Sequence, residues 1–401
     1  VSRQSVLLRS TAGLVLGAAL AVAATGGASA EAPAVEEPAT VRVEAAPADA
    51  IQDAAAQRVA AMSVREKAAS VVMGHLPTTD PAALQAYMAA TGIGGFILMG
   101  ANIPPDEDAL RGVTAALTLD AAFPPLLAVD QEGGDVSRLP WDGFASARQL
   151  KSEPPAAALS AFAGRAALVQ RAGIGVNFGI VADETADPAS FIYRRALGTT
   201  PASAAERVAA AVEGEGSDAL STLKHFPGHG AAPGDSHQGI PSTPMSKTDW
   251  ASADGLPFQA GIDAGAPLLM FGHLAYTAVD PAPATLSAEW HRIAREELGF
   301  EGVAVTDDLG MLQASGVPAY ADTVANAVAA LAAGNDMVLA VVFSTADTAP
   351  RMVDGIVAAV ESGALPAERL EEAAERVAAL RLRLAAEGRG LVPCADCAPA
   401  E

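Results

Sequence analysis

Eight short apolar runs, separated by longer alanine-rich stretches, limit the folds open to this chain more than any other feature. They occupy residues 70–73, 95–99, 126–130, 175–181, 220–223, 268–271, 303–306 and 337–341. Runs of four to seven residues read as buried strands. Several stretches between them carry helical periodicity, as where Leu370, Ala374, Val377, Leu380 and Leu384 recur every third or fourth position. Strands alternating with helices imply a parallel sheet. Eight such repeats predict an α/β fold, a closed (β/α)8 barrel forming a single catalytic domain over residues 51–388. The alternative, an open doubly wound sheet, lacks support, because no G-x-G-x-x-G follows the first run and no Walker motif occurs.

The two ends read differently. Arg3 and Arg9 precede an apolar stretch at 14–24, and Ala28-Ser29-Ala30 has the small-residue pattern of a cleavage site. Residues 1–30 are therefore expected to be a secretory signal peptide, since the apolar stretch is short for a membrane anchor. Residues 31–50, rich in Ala, Pro and Glu, are expected to be a linker. Residues 389–401 form a tail holding Cys394-Ala-Asp-Cys397, for which a local disulfide is favoured over a redox or zinc motif. The expected product is secreted or cell-wall associated, without a stable membrane span. The formal charge of −22 removes nucleic acid from the candidate partners, because phosphate binding needs a basic face.

In a barrel, chemistry collects where the strands end. The third run leads into Asp130-Gln-Glu-Gly-Gly-Asp-Val-Ser-Arg138. The fifth leads into Lys224-His225-Phe-Pro-Gly-His229 and on to Asp235-Ser-His237, the sixth to His273, and the seventh to Asp307-Asp308. Pro227 and Gly228 break any helix that would pair His225 with His229 on a metal, and no H-E-x-x-H occurs, so no metal is expected. For His229 the reading is a ring that fixes a glycine-rich loop through hydrogen bonds. Asp235 and His237, two apart in an extended loop, face the same way, so the carboxylate can orient the imidazole as a general acid and base. A Ser-His-Asp hydrolase is set aside, because no G-x-S-x-G elbow is present. Asp308 is expected to cap a helix, leaving Asp307 as the strand-end carboxylate. A carboxylate facing a loop-borne proton donor is the arrangement that cleaves an acetal. Asp130, Arg138, Lys224 and His225 would then hold sugar hydroxyls, although Arg138 could equally be a structural ion pair.

These stretches carry a resemblance. G-F-I-L-M-G-A-N-I at 95–103, D-Q-E-G-G-D-V-S-R at 130–138, K-H-F-P-G-H-G at 224–230 and D-S-H at 235–237 occur with A-V-D-P-x-P-A-T-L-S at 278–287, E-L-G-F-x-G-V at 297–303 and T-D-D-L-G-M at 306–311. In order and spacing the chain resembles the single-domain β-N-acetylglucosaminidases of glycoside hydrolase family 3, from about residue 60 to 385. The resemblance implies retaining hydrolysis of terminal β-linked N-acetylglucosamine without a cofactor. It implies Asp307 as nucleophile, His237 as proton donor and Asp235 as the partner tuning it. Asp130, Arg138, Lys224, His225 and Arg195 match the sugar-binding positions, Arg195 in a looser segment beside Arg194. The D-S-H element separates this branch from β-glucosidases that use a glutamate from an added domain. Gln238-Gly239 after that element, and Ala-Ala-Pro-Gly before it, depart from the usual pattern.

The expected partner is an N-acetylglucosamine-terminated glycan, from peptidoglycan fragments or chitooligosaccharides, acted on by a monomer. Glycine and proline at 227–234 predict a hinged loop that brings His237 over the sugar. Two competing functions are a phosphorylase on the same scaffold and a secreted sugar-binding protein without catalysis.

Overall fold

The computed structural model describes residues 48–390 except residue 217. The expected signal peptide, nearly all of the linker and the Cys394–Cys397 motif lie outside the described residues. All eight apolar runs become strands: β1 (Val72–Gly74), β2 (Gly95–Leu98), β3 (Leu126–Val129), β4 (Val176–Val181), β5 (Leu220–Phe226), β6 (Leu268–Phe271), β7 (Val303–Thr306) and β8 (Val338–Leu339). Successive strands from β1 to β7 pair in parallel, and β1 pairs with β8 at Val72–Val338 and Met73–Leu339. The seam between β7 and β8 is held by a parallel bridge between Val305 and Met337 and by Asp336 N–H donating to Ala304 O at 2.7 Å. The expected (β/α)8 barrel is the fold observed.

Two-residue alternation sorts the strand side chains. Leu126, Ala128, Val176, Phe178, Met270, Val303 and Val305 point into the barrel and pack together. Leu127 and Val129 face one part of the helical layer, while Leu223, Leu269, Phe271 and Ala304 face another. The helix Ala367–Glu387 turns Val377, Leu380 and Leu384 onto the inner cluster. Gly175, just before β4, allows this approach, since a Cβ there would meet Leu384 at 2.9 Å. The five periodic residues of that helix are all buried.

β5 runs longer than the sequence suggested. Its apolar stretch stops at Leu223, yet pairing continues through Val181–Lys224 and Phe226–Phe271, so Lys224 and His225 lie within the strand. Buried counter-charges let polar residues extend an apolar strand, and spacing alone does not register them. Among the described residues no helix is long and apolar enough to cross a membrane.

The barrel seam also depends on a buried carboxylate. Asp336, fully buried ahead of β8, accepts from Ala304 N at 2.9 Å and meets Arg295 at 2.5 Å, Arg369 at 2.7 Å and Arg376 at 3.1 Å. Removing this charge strands three guanidinium groups. Asp336→Ala is expected to destabilise the fold by about 3–5 kcal/mol, read as a lower urea midpoint.

Candidate active site

The ends of the strands converge on a pocket of about 320 Å³. β3 delivers Asp130, and a short antiparallel pair after it, Gln131–Gly133 with Val136–Ser137, folds Glu132 and Arg138 back toward the same space. The loop after β4 brings Arg195, β5 brings Lys224 and His225, and the following loop brings His237. β7 ends at Asp307 and Asp308, while Met99, Val341 and Val342 supply apolar wall. Every site residue expected from sequence lines this pocket except Asp235, which sits behind His237.

The cations are held by acids, one of which sequence reasoning passed over. Glu132, with a side chain 2 % exposed, takes both Nε and Nη2 of Arg195 at 2.8 and 2.7 Å and Lys224 Nζ at 2.6 Å. Burial would push its carboxyl up, but Arg195 and Lys224 outweigh this and hold it far below the usual carboxylate range. Lys224 also donates to Asp130 at 2.9 Å, and Arg138 reaches Asp130 at 3.3 Å. Burial opposes the ammonium of Lys224, yet Asp130 and Glu132 keep its pKa raised. Glu132 and Lys224 therefore both stay ionised at neutral pH. Glu132 lies inside the D-Q-E stretch, but nothing in the sequence marks which of its acids is desolvated.

Asp183, at the end of β4, is the second omission. Fully buried, it accepts from His225 N at 3.2 Å, faces His225 Nδ1 at 2.7 Å and accepts from His229 N at 2.6 Å. His225 Nε2 then points toward Arg195, at 3.4 Å. The expected role of His229 needs correction. Its backbone N–H anchors the loop, whereas neither ring nitrogen has a hydrogen-bond partner. Its ring packs edge-on against Phe191 at 4.5 Å, and burial pushes its pKa down to about 4.

The aspartate pair divides as expected. Asp308 caps the helix Leu309–Ala314, accepting from Gly310 N at 2.8 Å, and also accepts from Val341 N at 2.7 Å and Val342 N at 2.8 Å. Asp307 lines the pocket, with one oxygen accepting from Asp308 N at 2.7 Å. Burial raises its pKa, but His225 and then His273, with Lys224 further down, leave it lowered overall, so it is a carboxylate. His273, flagged from its place after β6, is a buried brace between Thr285 Oγ1 at 2.9 Å and Asp308 O at 2.8 Å.

His237 Nδ1 meets Asp235 Oδ1 at 2.7 Å, and its backbone N–H donates to the same oxygen at 3.0 Å. The His237 side chain is 60 % exposed. The loop carrying it is not a uniform hinge. Trp250 Nε1 donates to Pro227 O at 2.7 Å, Tyr276 Oη donates to Gly228 O at 2.7 Å, and Asp254 accepts from Ala231 N at 3.2 Å. With His229 N on Asp183, residues 227–231 are pinned by four buried side chains.

Behind the pocket, Asn177 clips both backbone groups of Gln131, accepting from its N–H at 3.1 Å and donating to its oxygen at 3.0 Å. The Gln131 side chain accepts from Arg138 N and Leu139 N, both at 2.9 Å, which fixes where Arg138 enters. Asn177 also donates to Glu215 at 2.6 Å. Among the described residues no group of three His, Cys, Asp or Glu side chains is placed to hold a metal ion.

Comparison with known proteins is consistent with this geometry. Residues 63–380 match the family model described as the glycosyl hydrolase family 3 N terminal domain. The chain is 35 % identical over 258 residues to a beta-hexosaminidase of Alkalilimnicola ehrlichii, covering 62 % of this chain and 73 % of that protein. It is 37 % identical over 254 residues to a beta-hexosaminidase of Pseudomonas aeruginosa, covering 61 % and 74 %. A solved family 3 beta-N-acetylglucosaminidase from a Paenibacillus species superposes with a TM-score of 0.75 at 30 % identity, over 81 % of this chain and 63 % of that one.

The Asn177–Glu215 contact gives a pH test of this network. Burial pushes the Glu215 carboxyl up to about 8, so between pH 4.5 and 8 the folded chain holds a proton that the unfolded chain releases. Its contribution to stability is complete below pH 4.5 and declines as pH rises toward 8. Glu215→Gln is expected to stabilise the protein relative to wild type at pH 8 and to lose that advantage below pH 4.5, read from thermal midpoints across the range.

Proposed function

The chain belongs to glycosyl hydrolase family 3, and from that premise we propose that it is an exported, retaining glycosidase removing terminal β-linked N-acetylglucosamine from peptidoglycan fragments or chitooligosaccharides. The observation that carries this reading is one pocket bordered by an ionised strand-end carboxylate, Asp307, and by a histidine paired with a carboxylate, His237 with Asp235. Acetal cleavage requires such a pair.

In the first step a carboxylate oxygen of Asp307 forms a bond to the anomeric carbon as the glycosidic C–O bond breaks. His237, its Nδ1–H held by Asp235, gives the Nε2 proton to the departing oxygen. In the second step neutral His237 takes a proton from water, whose oxygen attacks the anomeric carbon and releases Asp307 as a carboxylate. Lys224, Asp130, Arg138, Arg195 and His225 hold the sugar hydroxyls. Because Glu132 and Asp183 already fix these groups, binding does not need to reorganise them. The open position of His237 suits a tip that closes over the sugar and opens to release it. Each group comes from one chain, so a monomer suffices. Export rests on the pattern at residues 1–30.

Asp307→Ala is expected to lower kcat on an aryl β-N-acetylglucosaminide by at least about a thousandfold; unchanged turnover would discard the nucleophile assignment. His237→Ala is expected to cost about 10²–10⁴-fold on disaccharides and much less on substrates whose leaving group needs no proton. Digestion of muropeptides and chitobiose with and without phosphate separates the activities. Free N-acetylglucosamine in both buffers supports hydrolysis, and its 1-phosphate would identify a phosphorylase.

A further inference from the structure

One part of the pocket rim takes no part in the reaction as derived. After β8 the backbone turns through Val341, Val342, Phe343 and Ser344. Asp308 holds the first two N–H groups, and Ser344 N donates back to Val341 O at 2.9 Å. The turn is thus tied to the neighbour of Asp307. Phe343 has φ 61°, and among the described residues no other non-glycine residue has a positive φ. For a bulky side chain this left-handed conformation is strained. The residue is also 66 % exposed, more than any other large apolar residue described. Backbone strain and exposed aromatic surface both oppose folding.

The surroundings indicate what offsets them. Val342 lines the sugar pocket and also a second cavity of about 220 Å³, whose walls include Phe343, Thr323, Asp322 and Arg351. Asp322 is engaged in capping, accepting from Val324 N at 2.9 Å. Among the described residues the Arg351 guanidinium has no hydrogen bond or ion pair. The chain carries 47 acids against 25 Lys and Arg, and none of the described acids pairs with this cation. The sugar pocket suits one terminal ring, so the next unit of a glycan must emerge over its rim.

We propose that Phe343 and Arg351 form the subsite for the leaving-group saccharide. The ring of Phe343 stacks on the C–H face of that sugar, and Arg351 meets a carboxylate on its substituent. This rests on the reading of the main pocket as the site of the terminal N-acetylglucosamine. It adds that the enzyme favours an acidic saccharide over a neutral one on the far side of the scissile bond.

Three substrates test it: N-acetyl-β-glucosaminyl fluoride, whose leaving group reaches neither residue; chitobiose, with a neutral sugar; and N-acetylglucosaminyl-β-1,4-N-acetylmuramic acid, with a carboxylate. Phe343→Gly is expected to leave kcat/KM for the fluoride unchanged and to lower it about five- to tenfold for both disaccharides. Its thermal midpoint should be no lower than wild type, because glycine adopts this φ without strain. Arg351→Gln is expected to lower kcat/KM about threefold for the acidic disaccharide alone, an effect lost at about 0.5 M salt. Equal losses on all three substrates, or no loss on either disaccharide, would overturn the subsite. A loss with Arg351→Gln that is the same for both disaccharides would overturn the assignment of the carboxylate. If the wild type cleaves none of the three, the glycosidase reading itself fails, a result distinct from failure of the subsite.

Discussion

Glu132 is a carboxylate almost without access to water, and the site is built around it. It binds Arg195 through two parallel hydrogen bonds and Lys224 through a third contact, so two cations from different strand ends share one anion. Such a cluster is a poor device for stability, since desolvating the charges cancels most of their attraction. Its value is geometric. With Lys224 shared between Glu132 and Asp130, and Arg138 on the other oxygen of Asp130, the polar wall is set before any ligand arrives. Preorganised charges need no rearrangement as charge develops at the reacting carbon, which is where binding groups contribute to rate.

The same economy governs the loop that carries His237. Its first part is fixed by Trp250, Tyr276, Asp183 and Asp254, while the tip carrying Asp235 and His237 reaches solvent. The fixed base also bears on the pocket, because Asp183, which accepts from His229 N, faces His225 Nδ1 as well. The barrel supplies the remaining constraint, because Asp336 and its three arginines hold the β7–β8 seam. Asp307 projects from the end of β7, and Val341 and Val342 extend from β8.

Much of this was legible in the residues. Each apolar run became a strand because four or more consecutive apolar side chains have no other burial available in a chain of alternating elements. Asp308 caps a helix because Asp next to a helical run accepts its free N–H groups. Asp235 meets His237 because residues two apart need no tertiary help to touch. Reading failed where a role depended on distant neighbours. Glu132 and Asp183 are ordinary acids until cations and histidines from other strands surround them. His229 was expected to bond through its ring, but tertiary packing buried that ring against Phe191 and left the anchoring to its backbone.

The sequence by itself determined the repeating strand–helix architecture, the strand ends that would carry chemistry and the local Asp235–His237 pair. All of these follow from periodicity and short separations along the chain. Only the tertiary structure decided which acids lose their water, which part of the loop is fixed and which aromatic ring stays exposed on a strained turn. Desolvation and counter-charge are set by residues far apart along the chain, 94 positions for Asp130 and Lys224, and no local pattern encodes which of them will meet.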